Sequence, residues 1–155
     1  MIQYIIVFNR QGKVRLNRWF HTLTDKQKAT TTHEAVLMIL ARKNTMASIL
    51  EHNQYKLIYR RYASLHFAMA VDWTDNELNV LEIIHRYVQA LDDYFGTVCE
   101  LDVIYNFDKA YWILDEMIIG GELQEPSRKA VIKHCRNFED LSKADWASHA
   151  LNKAL

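Results

Sequence analysis

Seven histidines are the side chains best equipped for chemistry in this sequence: His21, His33, His52, His66, His85, His134 and His149. Zinc ligation or general-base work needs them grouped, typically one helical turn apart beside a carboxylate. No His-Glu-x-x-His run or paired helical spacing occurs. Cys99 and Cys135 stand apart, with no metal-ligand spacing around either, and read as two reduced thiols in or near a core. Gly12 belongs to a turn and Gly120-Gly121 reads as a helix stop, so neither makes a loop that cradles phosphate. No Gly-x-Ser-x-Gly elbow is present. Asp92-Asp93, Asp115-Glu116 and Glu82 lie in helical patterns, where a solvated face accounts for them. These spacings predict no enzyme, no metal site and no cofactor. Aromatic residues beside basic ones, Arg18-Trp19 and Tyr59-Arg60-Arg61-Tyr62, have the chemistry to stack on bases. Lys+Arg and Asp+Glu are 19 each, however, and a neutral chain lacks the basic excess that phosphate neutralisation requires. Nucleic acid is excluded as a partner on that ground, and strand packing with outward arginines explains the pattern.

The surrounding elements follow from periodicity. Residues 2–8 form a β-type run, Asn9-Arg10-Gln11-Gly12 a turn, and 13–19 a second strand. Alternation in that strand sends Val14 and Leu16 one way and Lys13, Arg15 and Asn17 the other. Thr24-Asp25-Lys26-Gln27 is a capping box that opens a helix to about Arg42, weakened by three threonines at 30–32. Three strands follow at about 47–52, 54–61 and 62–71. Thr74-Asp75-Asn76-Glu77 reads as a second capping box. Leu78, Leu81, Ile84, Val88, Leu91 and Phe95 then mark an amphipathic helix that stops at Gly96. Glu100 to about Ile119 is helical again, Pro126 suits the first turn of a helix through about Cys135, and Ser142–Asp145 starts a marginal last helix. Strands segregated from helices in this way predict an α+β fold, a five-stranded antiparallel sheet flanked by helices.

The chain has 155 residues, half of them hydrophobic, with four glycines and one proline, so one domain with a self-sufficient core is expected and no long flexible linker. The boundary falls at residues 1–138, with 139–155 as a C-terminal tail. The opening Met-Ile-Gln-Tyr-Ile-Ile-Val-Phe run ends at Asn9-Arg10. It is too short to span a membrane and lacks the basic start of a secretory signal. Neither a prenylation box nor a myristoylation glycine is seen, so membrane association is expected only through partners.

Several strings resemble one family over roughly residues 1–135. Asn-Arg-Gln-Gly-Lys-Val-Arg-Leu (9–16) resembles the opening hairpin of the small, sigma-type subunits of clathrin adaptor complexes. Tyr59-Arg-Arg-Tyr-Ala-Ser-Leu65 resembles their central strand pair. Asp75-Asn-Glu-Leu78 with Leu81-Glu-Ile-Ile-His-Arg-Tyr-Val88 resembles their long helix. Tyr94-Phe-Gly-Thr-Val-Cys-Glu-Leu-Asp102, Asn106-Phe107 and Ile113-Leu-Asp-Glu116 complete the pattern. Ala41-Arg-Lys43, Lys109-Ala-Tyr111 and Gly120-Gly121 look closer to the trans-Golgi/endosomal type than to the plasma-membrane one.

The resemblance implies a longin-like fold and a heterotetramer with two large subunits and one medium subunit. Work on the cytosolic face of trans-Golgi and endosomal membranes and clathrin-coated vesicles is implied as well. The clathrin coat and the membrane would be met indirectly, through the other subunits. The implied task is support of the complex core and recognition of acidic dileucine signals in cargo tails. The family's two-leucine pocket maps onto Ala63, Leu65, Val88, Val98, Leu101 and Val103, and its contact for the upstream acidic residue onto Arg15. Thr97 stands where the family often has Asn or Ser. A longin-fold subunit of the COPI coat or of a tethering complex is the alternative, since a shared fold leaves function open. Elemental analysis of the purified chain is expected to find no stoichiometric zinc, and its absorbance spectrum no bound nucleotide.

Overall fold

The computed structural model describes all residues except 125, 126 and 155. The sheet has the order β2-β1-β5-β4-β3, and every neighbouring pair is antiparallel. Its strands are β1 (Ile2–Asn9), β2 (Val14–Trp19), β3 (Ile49–His52), β4 (Tyr55–Tyr62) and β5 (Leu65–Val71). Helix α1 (Asp25–Leu40) covers one face. There Tyr4, Ile6 and Phe8 meet Ala35, Val36 and Ile39. Helices α2 (Glu77–Phe95), α3 (Glu100–Tyr105), α4 (Phe107–Met117) and α5 (Arg128–Ala154) cover the other, where Ile5, Val7, Leu65, Phe67 and Met69 meet Ile84, Tyr87 and Val88. A five-stranded antiparallel sheet between helices is the expected architecture.

Helix α1 carries the expected capping box: the Gln27 amide donates to Thr24 Oγ1 at 3.3 Å, and the Thr24 amide to Gln27 Oε1 at 3.0 Å. The threonines do not break it, because Ala35, Val36 and Ile39 anchor its second half in the core. The second capping box is corrected. Helix α2 is capped by Asn76, whose Oδ1 accepts the Leu78 amide at 2.9 Å. Glu77 instead holds the buried Lys56 ammonium of β4 at 2.9 Å, which ties the start of α2 to the sheet. That contact also keeps the Glu77 carboxyl below its usual range. Leu78 falls outside the buried stripe and is 74% exposed.

The single helix expected from Glu100 to Ile119 is two, broken at Asn106. Gly120-Gly121 is not a helix stop but the turn of a small hairpin, β6 (Ile118–Ile119) with β7 (Glu122–Leu123). Both glycines have positive φ, 59° and 84°. Beyond it α5 runs unbroken from Arg128 to Ala154, merging the two helices expected there; the expectation for Pro126 lies outside the described residues. Val131, Ile132 and Cys135 seat α5 in the core, while residues 140–154 are exposed. Glu139 locks it laterally: its carboxylate accepts from Tyr94 Oη of α2 and from Lys109 Nζ of α4 at 3.1 Å.

Helix α4 also closes the sheet edge. Tyr111 Oη donates to the Asn17 carbonyl at 2.8 Å and accepts the Asn17 amide at 2.9 Å, while Arg18 reaches Asp115 at 2.7 Å. The exposed edge of β2 is thereby covered.

Two tests follow from these contacts. A Cβ at Gly121 would run into the Ile2 carbonyl oxygen, whereas one at Gly120 meets nothing within 4 Å. Gly120→Ala should therefore cost only about 1–2 kcal/mol for its left-handed backbone. Gly121→Ala should cost clearly more, read as the larger drop in thermal midpoint. The second test concerns Glu139, whose pKa is depressed to about 2 by Tyr94, then Lys143 and Lys109. A depressed folded pKa contributes stability above the unfolded value of about 4.3, lost as pH falls toward the folded value. Glu139→Gln should destabilise by about 1–2 kcal/mol at neutral pH. The melting curves of the two proteins should converge as the pH is lowered to about 2.

Candidate peptide-binding site

The site forms where the β1–β2 turn, the β4–β5 hairpin, the middle of α2 and α3 come together. Asn9 organises the turn: its Oδ1 accepts the Gln11 and Lys13 amides at 3.0 and 2.9 Å. Beyond it β1 and β2 shift register, with Phe8 opposite Val14 and Val7 opposite Leu16. Arg15 is thus the extra residue of a β-bulge. This overturns the simple alternation expected for β2. Val14 packs on the α1 face and Leu16 in the core beneath α2–α5, so the two do not share a side.

Arg15 does not project freely into solvent. Its Nη2 lies 2.9 Å from Glu100 Oε1 and its Nε donates to the same oxygen at 3.0 Å. Asn9 Nδ2 donates there too, at 2.8 Å. Both side chains of the ion pair are about three-quarters covered. The Asn9 and Arg15 donors hold the Glu100 carboxyl below its usual range. Glu100 is the first residue of α3, so one carboxylate pins that short helix to the β1–β2 turn.

The six aliphatic positions divide into two groups. Leu65, Val88, Val98 and Val103 are 1%, 4%, 8% and 1% exposed and belong to one continuous core. Leu101 is 59% exposed on the outer side of α3. Ala63 is also exposed, but it does not share a strand face with Leu65. It occupies the β4–β5 turn with φ of 53°, a left-handed conformation costly for a residue with a Cβ. Four of the six are therefore buried in the core beneath α2–α5, while Ala63 and Leu101 are exposed. Glu100 and Asn9 were missed by sequence reasoning. No local signal marks them, since the Arg15–Glu100 contact joins residues 85 apart in the chain.

Among the described residues, no group of His, Cys, Asp and Glu is placed to hold a metal ion, and no helix is long and apolar enough to cross a membrane.

Comparison with known proteins agrees with this architecture. The AP-1 complex subunit sigma-3 of Homo sapiens is 49% identical over 153 residues, covering 99% of each chain. The AP-1 complex subunit sigma-2 of Dictyostelium discoideum is 52% identical over 149 residues, 96% of this chain and 97% of its own. In fold, the chain superposes with a TM-score of 0.75 on a chain of a homology model of the full-length AP-3 complex in a stretched open conformation. The sequence identity there is 22%, and 96% of this chain and 99% of the other are covered. Residues 1–142 match the family described as the clathrin adaptor complex small chain. At half identity over nearly its whole length, the chain belongs to the clathrin adaptor small-chain family, as a vesicle-trafficking adaptor subunit of AP-1 sigma type rather than an enzyme.

Proposed function

We propose that this chain supports the core of a heterotetrameric adaptor, with two large subunits and one medium subunit, and binds acidic dileucine signals in cargo tails. The observation that carries the reading is Arg15, a guanidinium already holding a carboxylate beside a shell of aliphatic side chains. An acidic residue of the peptide takes the place of Glu100. Its two leucines enter among Ala63, Leu65, Val88, Val98, Leu101 and Val103. Four of those side chains are buried, so entry needs α3 to yield, and burying each leucine returns roughly 1.5–3 kcal/mol. Helix α3 is suited to yielding, being six residues long and breaking at Asn106.

Docking surface for larger subunits is supplied by exposed apolar residues. Tyr105 and Phe107 are 76% and 56% exposed, and Leu141, Trp146 and Leu151 on α5 are 66%, 78% and 65% exposed. Residues 140–154 are thus a helical extension available to a partner. With membrane contact made through its partners, the chain works on the cytosolic face of trans-Golgi and endosomal membranes. The COPI or tethering alternative gives way to the family match.

The tagged chain should co-purify with two large subunits and one medium subunit, identified by mass. Expressed alone it should self-associate, and a monodisperse monomer at high concentration would count against these docking surfaces. In the assembled complex, Val88→Asp should abolish binding of an acidic dileucine peptide and spare tyrosine-based signals. An unpaired buried carboxylate there costs several kcal/mol. Leu101→Ser, at an exposed position, should weaken the same peptide without disturbing assembly, which separates pocket loss from misfolding. Arg15→Ser should weaken binding by only about 0.2–1 kcal/mol, because the ion pair gained replaces one already made. That effect should fade as salt rises from about 0.1 M to about 1 M. Equal loss of both signal types in Val88→Asp would reject the assignment.

A further inference from the structure

A second site is visible on the opposite face of the sheet, beside α1. A cavity of about 800 Å³ opens between the end of α1 and the β4–β5 hairpin, lined by Arg10, Arg42, Lys43, Arg61, His66 and Ser64 among others. The cations come from three separate places. Arg10 lies in the β1–β2 turn, Arg42 and Lys43 follow α1, and Arg61 stands opposite His66 across β4 and β5. Among the described residues, no carboxylate lines the hollow.

Several cations elsewhere serve to join elements. Arg15, Arg18, Lys56, Lys109 and Arg128 each pair with an Asp or Glu. None of the four cations around the cavity pairs with a carboxylate among the described residues. Arg42 spends its Nε on Tyr59 Oη at 3.1 Å and one Nη on the Ala47 carbonyl at 2.8 Å. Arg61 spends its Nε on the Ala63 carbonyl at 3.1 Å. Those bonds fix two guanidinium groups while leaving other donors unused. His66 adds an independent mark. Its ring stacks on Phe8 with centroids 5.0 Å apart, and its Nδ1 is buried with no hydrogen-bond partner. Its pKa is held below the ordinary value by burial and then by the charges of Arg61 and Arg10.

A neutral chain that holds four like charges around one hollow, with no internal counter-charge, bears their mutual repulsion unless an anion relieves it. The volume falls within the usual small-molecule range of about 300–1,000 Å³. Cations converging from three elements suit a compact ligand with several anionic groups better than an extended phosphopeptide, which needs a groove. The geometry points to a binding site for a compact polyanion carrying several phosphate groups, formed by Arg10, Arg42, Lys43 and Arg61. It is separate from Arg15 and shares only Ala63 with the aliphatic positions, so it stands independently of the dileucine reading.

The test uses the assembled complex, with calorimetric titration of inositol hexakisphosphate and of inorganic phosphate. A parallel arm measures sedimentation with phosphatidylcholine vesicles, with and without phosphatidylinositol bisphosphate. Arg10→Gln/Lys43→Gln is the first variant, since neither residue makes a contact that folding needs. Arg61→Gln is the second. Arg60→Gln is the control, because Arg60 lies beside Tyr62 on the other face of the sheet. Inositol hexakisphosphate should bind the wild-type complex with a Kd about tenfold or more below that of the first variant, charge-assisted phosphate contacts being the strong ones. The control should match the wild type. Loss in both arms assigns the site to a lipid headgroup, and loss in the soluble arm alone to a free inositol phosphate. Equal affinity of the wild type and both variants would overturn the site. So would binding inorganic phosphate as tightly as inositol hexakisphosphate, or binding a phosphopeptide alone.

Discussion

Strand β1 is the constraint on which the molecule depends. All eight residues from Ile2 to Asn9 are buried, and the strand is hydrogen-bonded to β2 on one side and β5 on the other. Buried amides left unpaired would cost as much as lost hydrogen bonds, so both neighbours are obligatory. Its even side chains, Tyr4, Ile6 and Phe8, form the core under α1. Ile5 and Val7 enter the core under the other four helices. A slip of one residue would exchange the two sets and ruin both cores at once, which fixes the register.

The β-bulge at Arg15 shows what that fixed register permits. Because β1 cannot shift, the extra residue is absorbed in β2, and the bulge turns a basic side chain toward α3. Glu100 answers it, and a helix too short to be stable alone is held by one carboxylate that also accepts from Asn9. The end of the sheet therefore combines a tightly determined strand framework with a short helix seated by Val103 and by polar contacts to the β1–β2 turn. The proposed entry of two aliphatic side chains would draw on that combination, with aliphatic walls already assembled and a short helix over them. Tyr111 and Glu139 act in the opposite sense. They fasten α4 to the β2 edge and α5 to α2 and α4, which braces the framework around α3.

Polar pairing also divides the surface by task. Lys56, Arg18, Lys109 and Arg128 spend their charge on joining elements. Arg10, Lys43 and Arg61 keep theirs around an open hollow. In a chain with no net charge, such unevenness has to come from placement. Composition alone argues against nucleic acid as a partner, but a concave cluster of a few cations is invisible to a whole-chain count.

Much of the architecture could be read from short-range pattern. Alternation located the strands, the Thr24–Gln27 capping box located α1, and three- and four-residue spacing located α2, because these signals act within a few residues. The strings around 9–16, 59–65 and 94–102 carried the family. Local pattern failed wherever a distant contact outweighed it. The bulge at Arg15 follows from the demands of β1 on both cores, and α2 begins at Glu77, capped by Asn76, where Lys56 holds the Glu77 carboxylate. Gly120-Gly121 turns a hairpin because the Ile2 amide reaches the Gly121 carbonyl at 2.9 Å. Local pattern alone tells which residues are aliphatic, which are basic, and which elements carry most of them. Tertiary packing settles that Leu65, Val88, Val98 and Val103 enter one core, that Arg15 finds Glu100, and that four cations with no carboxylate partner among the described residues share one cavity. These are contacts between residues far apart in the chain, and their partners are chosen by packing two cores against one strand.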